Sequence, residues 1–465
     1  MTYKHTEIDI ISESPFQNCK LGRQNYANIL TSIVESFPEG FVLAINNKWG
    51  TGKTTFVKMW EQTLKNSGYK TIYFNAWEND FEDNPLTAFV AELQVIDKKG
   101  DDKFNTVVKN AALIAKNVAP GLLKAIVNKY IDSETLTEAI SNTSKSVLEI
   151  FEEDVKEYSK RKESISKFKK SLSEFVANES NEKQLIFIID ELDRCRPNYA
   201  VLLLEQIKHF FSVPNIVFIL SIDKEQLGNA IRGVYGSEKI DANEYLRRFI
   251  DIEYSIPEPE KGKFFDYLYN YFEFDNFFRA PQRNSYHGLQ YDMDDFKETS
   301  KALISSLTLR QQEKVLSHTR MALRAFDYNS YLLPPIFIFL SYIKSIRPDF
   351  YTTLSDKSAT IKDVQDEFYK IVKPFITEDT KVIFSKIEAY LLRFYENDKS
   401  QFRNSSELFE KSQTSNEHLL KIESKIDSNM LLRILTNDRF NFDYRDLKLS
   451  YFLNRLNLTD TIKTS

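Results

Sequence analysis

The sequence predicts a doubly wound parallel α/β domain with a helical insertion, followed by a mostly α-helical C-terminal region. Three observations carry this expectation. Short apolar runs recur at 41–46, 184–189 and 216–220, and such runs read as strands buried on both faces. Segments of helical periodicity alternate with them. A glycine-containing turn joins the first run to the first of those helices.

Taken in order, Phe41-Val42-Leu43-Ala44-Ile45-Asn46 is the first strand, and an amphipathic helix runs from about Lys53 to Leu64. Lys70 to Trp77, with Ile72, Tyr73 and Phe74, is the second strand. From about residue 98 to 183 the pattern is interrupted by a long charged insertion. Val155, Tyr158, Ile165, Phe168, Leu172 and Phe175 recur there at helical spacing and give it one apolar face. Packing of that face on its own domain is the commoner arrangement; a partner-binding coiled coil is the other. Gln184 to Ile189 then ends in carboxylates, a helix follows from Tyr199 to Phe211, and Ile216 to Leu220 is the next strand. The division expected is a domain over 1–259 and a helical region over 260–465. In the latter, Phe277–Ser300 reads as a polar, aromatic-flecked loop and Asn397–Asn416 as a second polar stretch.

The 465 residues are 42% hydrophobic and 28% charged, the balance of a soluble globular chain. A net charge of -5 and a pI of about 5.8 leave no footprint for non-specific nucleic-acid or membrane binding. Two cysteines, Cys19 and Cys195, give no disulfide framework and fit a reducing compartment. Val107–Val127 is apolar in bulk, but Lys109, Lys116 and Lys124 break it and Pro120-Gly121 kinks it. A spanning helix wants about 20 apolar residues. Tyr331–Ile343 is too short and holds Pro334-Pro335. The expectation is a cytoplasmic protein without a membrane span.

The sharpest signal is Asn47-Lys48-Trp49-Gly50-Thr51-Gly52-Lys53-Thr54, set between a strand and a helix. It follows the Walker A pattern, Gly-x4-Gly-Lys-Ser/Thr, with Asn47 in place of the first glycine. Gly50 and Gly52 let backbone N–H groups turn inward around phosphate oxygens. Lys53 supplies a point charge to the β- and γ-phosphates. Thr54 offers a hydroxyl to Mg²⁺ at the positive end of a helix. Asn tolerates left-handed backbone angles, which would let the turn survive without its first glycine. The nucleotide-binding candidates are thus Asn47, Trp49, Gly50, Thr51, Gly52, Lys53, Thr54 and Thr55.

The run Leu185–Ile189 leads into Asp190-Glu191-Leu192-Asp193-Arg194. An apolar strand ending in Asp is the Walker B arrangement, with Asp190 a Mg²⁺ ligand opposite Thr54. Glu191, one residue on, is placed to orient the attacking water. Ser221-Ile222-Asp223 ends the next strand, and a polar residue there, Asp223 or Ser221, is either a γ-phosphate or water contact or an ordinary turn residue. Arg194, Arg196, Arg247, Arg248 and Arg310 are candidate finger residues, though for each one alone a surface ion pair is the commoner role.

Together, Lys48–Thr54, Phe74-Asn75-Ala76-Trp77 and Ile189–Cys195 resemble the KAP family of P-loop NTPases. The resemblance extends to Leu21-Gly22-Arg23, Leu220–Asp223 and Tyr245–Ile250 followed by Ile256-Pro257, and covers roughly Ser14 to Pro259 with a weaker echo at Leu309-Arg310. It implies an ATPase of the STAND-like, additional-strand class using ATP and Mg²⁺, with Glu191, Lys53, Arg248 and Arg310 as catalytic candidates. Arg248 falls where the family has a basic residue, and Arg310 sits on a predicted helix like a sensor. The resemblance also implies a link to phage exclusion or mobile elements. The output of a switch would pass to a homo-oligomer or a partner effector protein. Two further readings stand beside an ATP-hydrolysing switch: a nucleotide-dependent scaffold with little hydrolysis, which Asn47 would favour, and a nucleic-acid-associated ATPase. All three tryptophans, Trp49, Trp60 and Trp77, are expected near the nucleotide.

Overall fold

The structure is a computed structural model. It describes residues 8–81, 85–96, 102–118, 147–179, 183–207, 213–260, 262–286, 288–399, 407–411, 418–437, 444 and 446–459. The chain divides into two compact units, Glu7–Glu258 and Pro259–Ser465 with Met1–Thr6.

The first unit is built on five parallel strands: β1 (Val42–Asn46), β2 (Lys70–Asn75), β3 (Leu185–Asp190), β4 (Ile216–Ile222) and β5 (Ile252–Tyr254). Their order across the sheet is β2-β3-β4-β1-β5, so β4 separates β1 from β3. Val, Ile, Leu and Phe dominate the central strands because both faces are covered. β3 and β4 are buried along their whole length.

Alternate residues feed two separate cores. One face, with Leu43, Ile45, Ile186, Ile188, Val217 and Ile219, packs against α1 (Gln24–Ser36) and α2 (Lys53–Asn66). The other, with Val42, Ala44, Phe74, Phe187, Ile189 and Phe218, packs against α3 (Pro85–Leu93), α4 (Asp102–Val118), α5 (Val147–Glu179), α6 (Pro197–Ile207), α7 (Lys224–Tyr235) and α8 (Ala242–Arg247). The insertion therefore covers a face of its own sheet. Phe104, Val107 and Val108 of α4 and Phe168, Leu172 and Phe175 of α5 lie in this core, while Val155 and Tyr158 lie outside the residues with described side chains. The described part of Val107–Val127 is the end of α4, turned into that core. Among the described residues no helix is long and apolar enough to cross a membrane.

β5 was not expected from the sequence. It has three residues, lies at the sheet edge and is only partly buried, so it carries no apolar run. Asp251, just before it, accepts from Val42 N at 2.8 Å and its own N–H donates to Val42 O at 3.0 Å, which docks the strand beside β1.

In the second unit, the loop expected over Phe277–Ser300 is instead helical. Asp275–Phe278, Pro281–Asn284 and a 3-10 turn at Leu289–Tyr291 lead into Asp292–Ile304. Pro281 sits in a first turn, where its missing N–H costs nothing, and Asp292, Asp294 and Asp295 occupy the first turn of the last helix, where carboxylates favour the positive end. Phe277, Phe278 and Phe296 are buried. Arg283, 0% exposed, pairs with Asp292, donates to Tyr328 O at 3.0 Å and Ser330 O at 3.2 Å, and lies 4.8 Å from the Phe277 ring centroid. Tyr331–Ile343 falls largely in the buried helix Pro334–Ile346. Of Asn397–Asn416, Asn397–Lys399 end the helix Lys381–Lys399 and Phe409–Lys411 pair antiparallel with His418–Leu420; 400–406 and 412–416 lie outside the described residues.

Arg283→Ala strands the Asp292 carboxylate in the interior and should lower stability by about 3–5 kcal/mol in urea unfolding. Replacing both partners with apolar residues, Arg283→Met with Asp292→Leu, should recover most of that loss.

Candidate functional site

Because all five strands run the same way, their C-terminal ends share one edge. The register there is close: Asn75 lies beside Asp190, Asp190 beside Ser221, and Ser221 beside Ile45. The segments that follow these residues carry nearly all the predicted site.

The Asn47–Thr54 turn links β1 to α2. Gly50 (φ 76°) and Gly52 (φ 79°) take up its two left-handed positions. Asn47 does not, contrary to the sequence expectation. It has another use: its Nδ2 donates to Ile256 O at 2.8 Å and its Oδ1 accepts from Ile256 N at 2.9 Å, while its own N–H donates to Ile222 O at 3.1 Å. The position therefore demands a side-chain amide, which ties the turn to the segment after β5. Thr51 Oγ1 donates to Lys48 O at 2.8 Å and closes the tip. Lys53 is buried, and its Nζ donates to Asn47 O. Burial pushes the Lys53 ammonium below its ordinary pKa, and Asp193, Asp223 and Asp190 oppose this. Thr54 and Thr55 are half-buried in the first turn of α2.

Trp49 is pinned at both ends. Its N–H donates to Asp223 Oδ2 at 3.1 Å, and its indole Nε1 donates to Asp193. Asp223 is the N-cap of α7, with Gln226 N at 3.3 Å from Oδ1. Asp223 thus braces the turn and caps a helix at once.

Asp190 is 1% exposed at the end of β3. Its Oδ2 accepts from the Tyr73 hydroxyl at 2.7 Å and its Oδ1 from Glu191 N at 2.9 Å. Glu191 adopts a left-handed backbone (φ 61°), a conformation that non-glycine residues hold only where the surroundings impose it. Its Oε1 lies 2.6 Å from Arg194 Nη1. Burial raises the Glu191 pKa, with Arg194 pulling the other way. Asp193 is also pushed up by burial, against its bond from Trp49 and the charge on Lys53. Cys195 is buried, its Sγ 3.6 Å from Glu191 O, and burial beside Asp80, Asp193 and Glu191 raises its thiol pKa. Cys19 is half-buried and also free.

The sequence also named two arginines and a third tryptophan. Arg248 is exposed at the end of α8, and its side chain takes no hydrogen bond or ion pair among the described residues. Arg310 is exposed in the first turn of Leu309–Ala322, in the second unit. Trp49 and Trp77 are half exposed at the site edge, but Trp60 is fully buried under α1, where its Nε1 donates to Thr31 Oγ1 at 2.9 Å. The expectation of three tryptophans at the site is corrected to two.

Several residues escaped the sequence reading. Tyr73 orients Asp190. Arg23, buried, donates from Nη1 to Gly52 O at 3.3 Å and ties the start of α1 to the turn. Ser221, which the sequence does offer with Asp223, is 0% exposed, and its Oγ has no hydrogen-bond partner among the described residues, in the row that holds Asp190.

The donor set suits Mg²⁺: a carboxylate at Asp190 and a hydroxyl at Thr54 are hard oxygen ligands. Asp190, Glu191, Asp193 and Asp223 outnumber Lys53 and Arg194 here, so a divalent cation would relieve their repulsion. Among the described residues no three His, Cys, Asp or Glu side chains form a metal-binding group. Mg²⁺ at such a site takes its remaining ligands from phosphate and water.

A family model described as KAP family P-loop domain matches residues 23–448, well beyond Pro259. An uncharacterized protein of Methanocaldococcus jannaschii, MJ0182, is 27% identical over 177 residues, covering 32% of this chain and 88% of the relative. A solved structure of the Aeropyrum pernix ORC2 protein (ADPNP-ADP complexes) aligns over 94% of both chains at 12% identity with a TM-score of 0.30, too loose a likeness to bear on this chain.

Asn47→Gly restores the commoner residue of the motif yet should destabilise the first unit by about 1–3 kcal/mol, because it leaves both backbone groups of buried Ile256 unpaired. Chemical denaturation would reveal the loss, and an unchanged midpoint would contradict it.

Proposed function

Given that the chain belongs to the KAP family of P-loop NTPases, we propose that it is a Mg²⁺-dependent, ATP-hydrolysing switch. The observation that carries the reading is the shared sheet edge, where the Lys53 turn and the Asp190-Glu191 pair are separated only by β4. In this reading the turn's N–H groups and Lys53 Nζ hold the β- and γ-phosphates of ATP, with GTP the alternative base. Thr54 and Asp190 hold Mg²⁺, and Tyr73 fixes the Asp190 rotamer. When bound, the cation would supply charge neutralisation to the phosphates.

Glu191 orients a water against the γ-phosphorus and takes its proton as the P–O bond forms. The bond to the β–γ bridging oxygen breaks, and its electron pair leaves on ADP. The proton then returns to the released phosphate. Burial of Lys53 and Asp190 strengthens these interactions by keeping water out. The paired hydrogen bonds of Asn47 support a well-formed turn, so the feature that favoured a low-hydrolysis scaffold loses its force.

The reading includes a cytoplasmic location, where ATP is supplied, and an output to a second copy or an effector protein. If the chain follows bacterial members of the family, that output serves phage exclusion. Arg248 or Arg310 neutralises transition-state charge in this scheme.

Phosphate release with ATP·Mg²⁺ should be lost in Lys53→Ala and in Glu191→Gln, by about 100-fold or more for each. Arg248→Ala and Arg310→Ala should lower turnover and leave nucleotide binding intact. A wild type that binds ATP and never hydrolyses it, at low or high protein concentration, would return the scaffold reading to first place. Intrinsic fluorescence should change on ATP·Mg²⁺ addition through Trp49 and Trp77. The change should persist in Trp60→Phe and shrink when Trp49 or Trp77 is replaced by Phe.

A further inference from the structure

The carboxylate assigned above as the base is not free. Glu191 Oε1 lies 2.6 Å from Arg194 Nη1, and the two side chains are 12% and 23% exposed, more sheltered than a surface pair. The guanidinium of Arg194 in turn sits 5.8 Å from the ring centroid of Trp77, within cation–π reach. Trp77 is 51% exposed, but its backbone is held: its N–H donates to Asn75 Oδ1 at 3.2 Å, which also accepts from Glu78 N at 3.3 Å. Asn75, Trp77, Arg194 and Glu191 thus form one chain of contacts that ends on a carboxyl group, at a residue whose backbone is left-handed.

A charge-assisted bond to a guanidinium draws the carboxylate toward Arg194 and away from a water on its other side. We propose that Arg194 is a positioning residue that holds Glu191 in an idle rotamer, that Trp77 is the platform on which Arg194 rests, and that the Arg194–Glu191 bond opens before water is activated. This rests on the reading of Glu191 as the base. It assigns Arg194 a restraining role in place of that of a finger, and gives a purpose to an exposed tryptophan that no core requires.

The test is steady-state phosphate release, with kcat and KM for ATP determined separately. Arg194→Ala should raise kcat by about fivefold with KM nearly unchanged, since the bond removed lies off the nucleotide. Trp77→Leu should move kcat the same way by less, and Arg194→Lys should return it toward wild type. Adding Glu191→Gln to Arg194→Ala should abolish the gain. If Arg194→Ala does not fold, Arg194→Gln carries the same expectation, with thermal unfolding as the check. An unchanged or lower kcat in the Arg194 variants, with Glu191→Gln inactive, would overturn the restraint and make Arg194 a contributor to the reaction. Turnover that survives Glu191→Gln would instead sink the reading of Glu191 as the base.

Discussion

Strand register is the constraint on which the site depends. Asn75, Asp190, Ser221 and Ile45 lie side by side only because β2, β3, β4 and β1 are parallel and in step. In a strand, side chains alternate between faces, so a slip of one residue would send Asp190 to the opposite face and place a neighbouring isoleucine in the row. The two cores lock the register. Ile186 and Ile188 fit beside Trp60 and Phe56 on one face, while Phe187 and Ile189 fit beside Phe89 on the other. The Phe89 and Phe187 rings stack at 4.6 Å. The insertion helices, which carry no residue of either motif, therefore help to hold the register by completing one of these cores.

The electrostatics of the edge follow from the same packing. Asp190 is buried at the end of a buried strand and Lys53 at the start of α2, and ions removed from water need partners. The chain supplies some of these internally: Asn47 O for Lys53, Tyr73 for Asp190, Trp49 for Asp193 and Arg194 for Glu191.

Much of this was legible from sequence. Fully buried parallel strands write themselves as apolar runs, and the glycine pattern of the turn reflects two left-handed positions that the structure does contain. What escaped had physical reasons. β5 is too short and too exposed to leave a pattern. Asp292–Ile304 looked like loop because its first turn is acidic and its apolar positions are few, and its burial depends on Arg283, which a sequence reading counts as a surface charge. The roles of Tyr73, Arg23 and Asp193 are set by which strand lies next to which. Asn47 was read as a tolerated departure from glycine, whereas its use is a pair of hydrogen bonds to a residue far along the chain.

The two thiols of the chain are chemically unequal. Cys195 is shielded by the turn after β3, and its raised pKa keeps it protonated, so it is a poor nucleophile at neutral pH. Cys19 is half-buried just ahead of α1, on the opposite side of the sheet from the insertion. A maleimide dye would therefore couple to one place without any engineered substitution. It would give a reporter at the start of the segment through which Arg23 reaches the nucleotide turn.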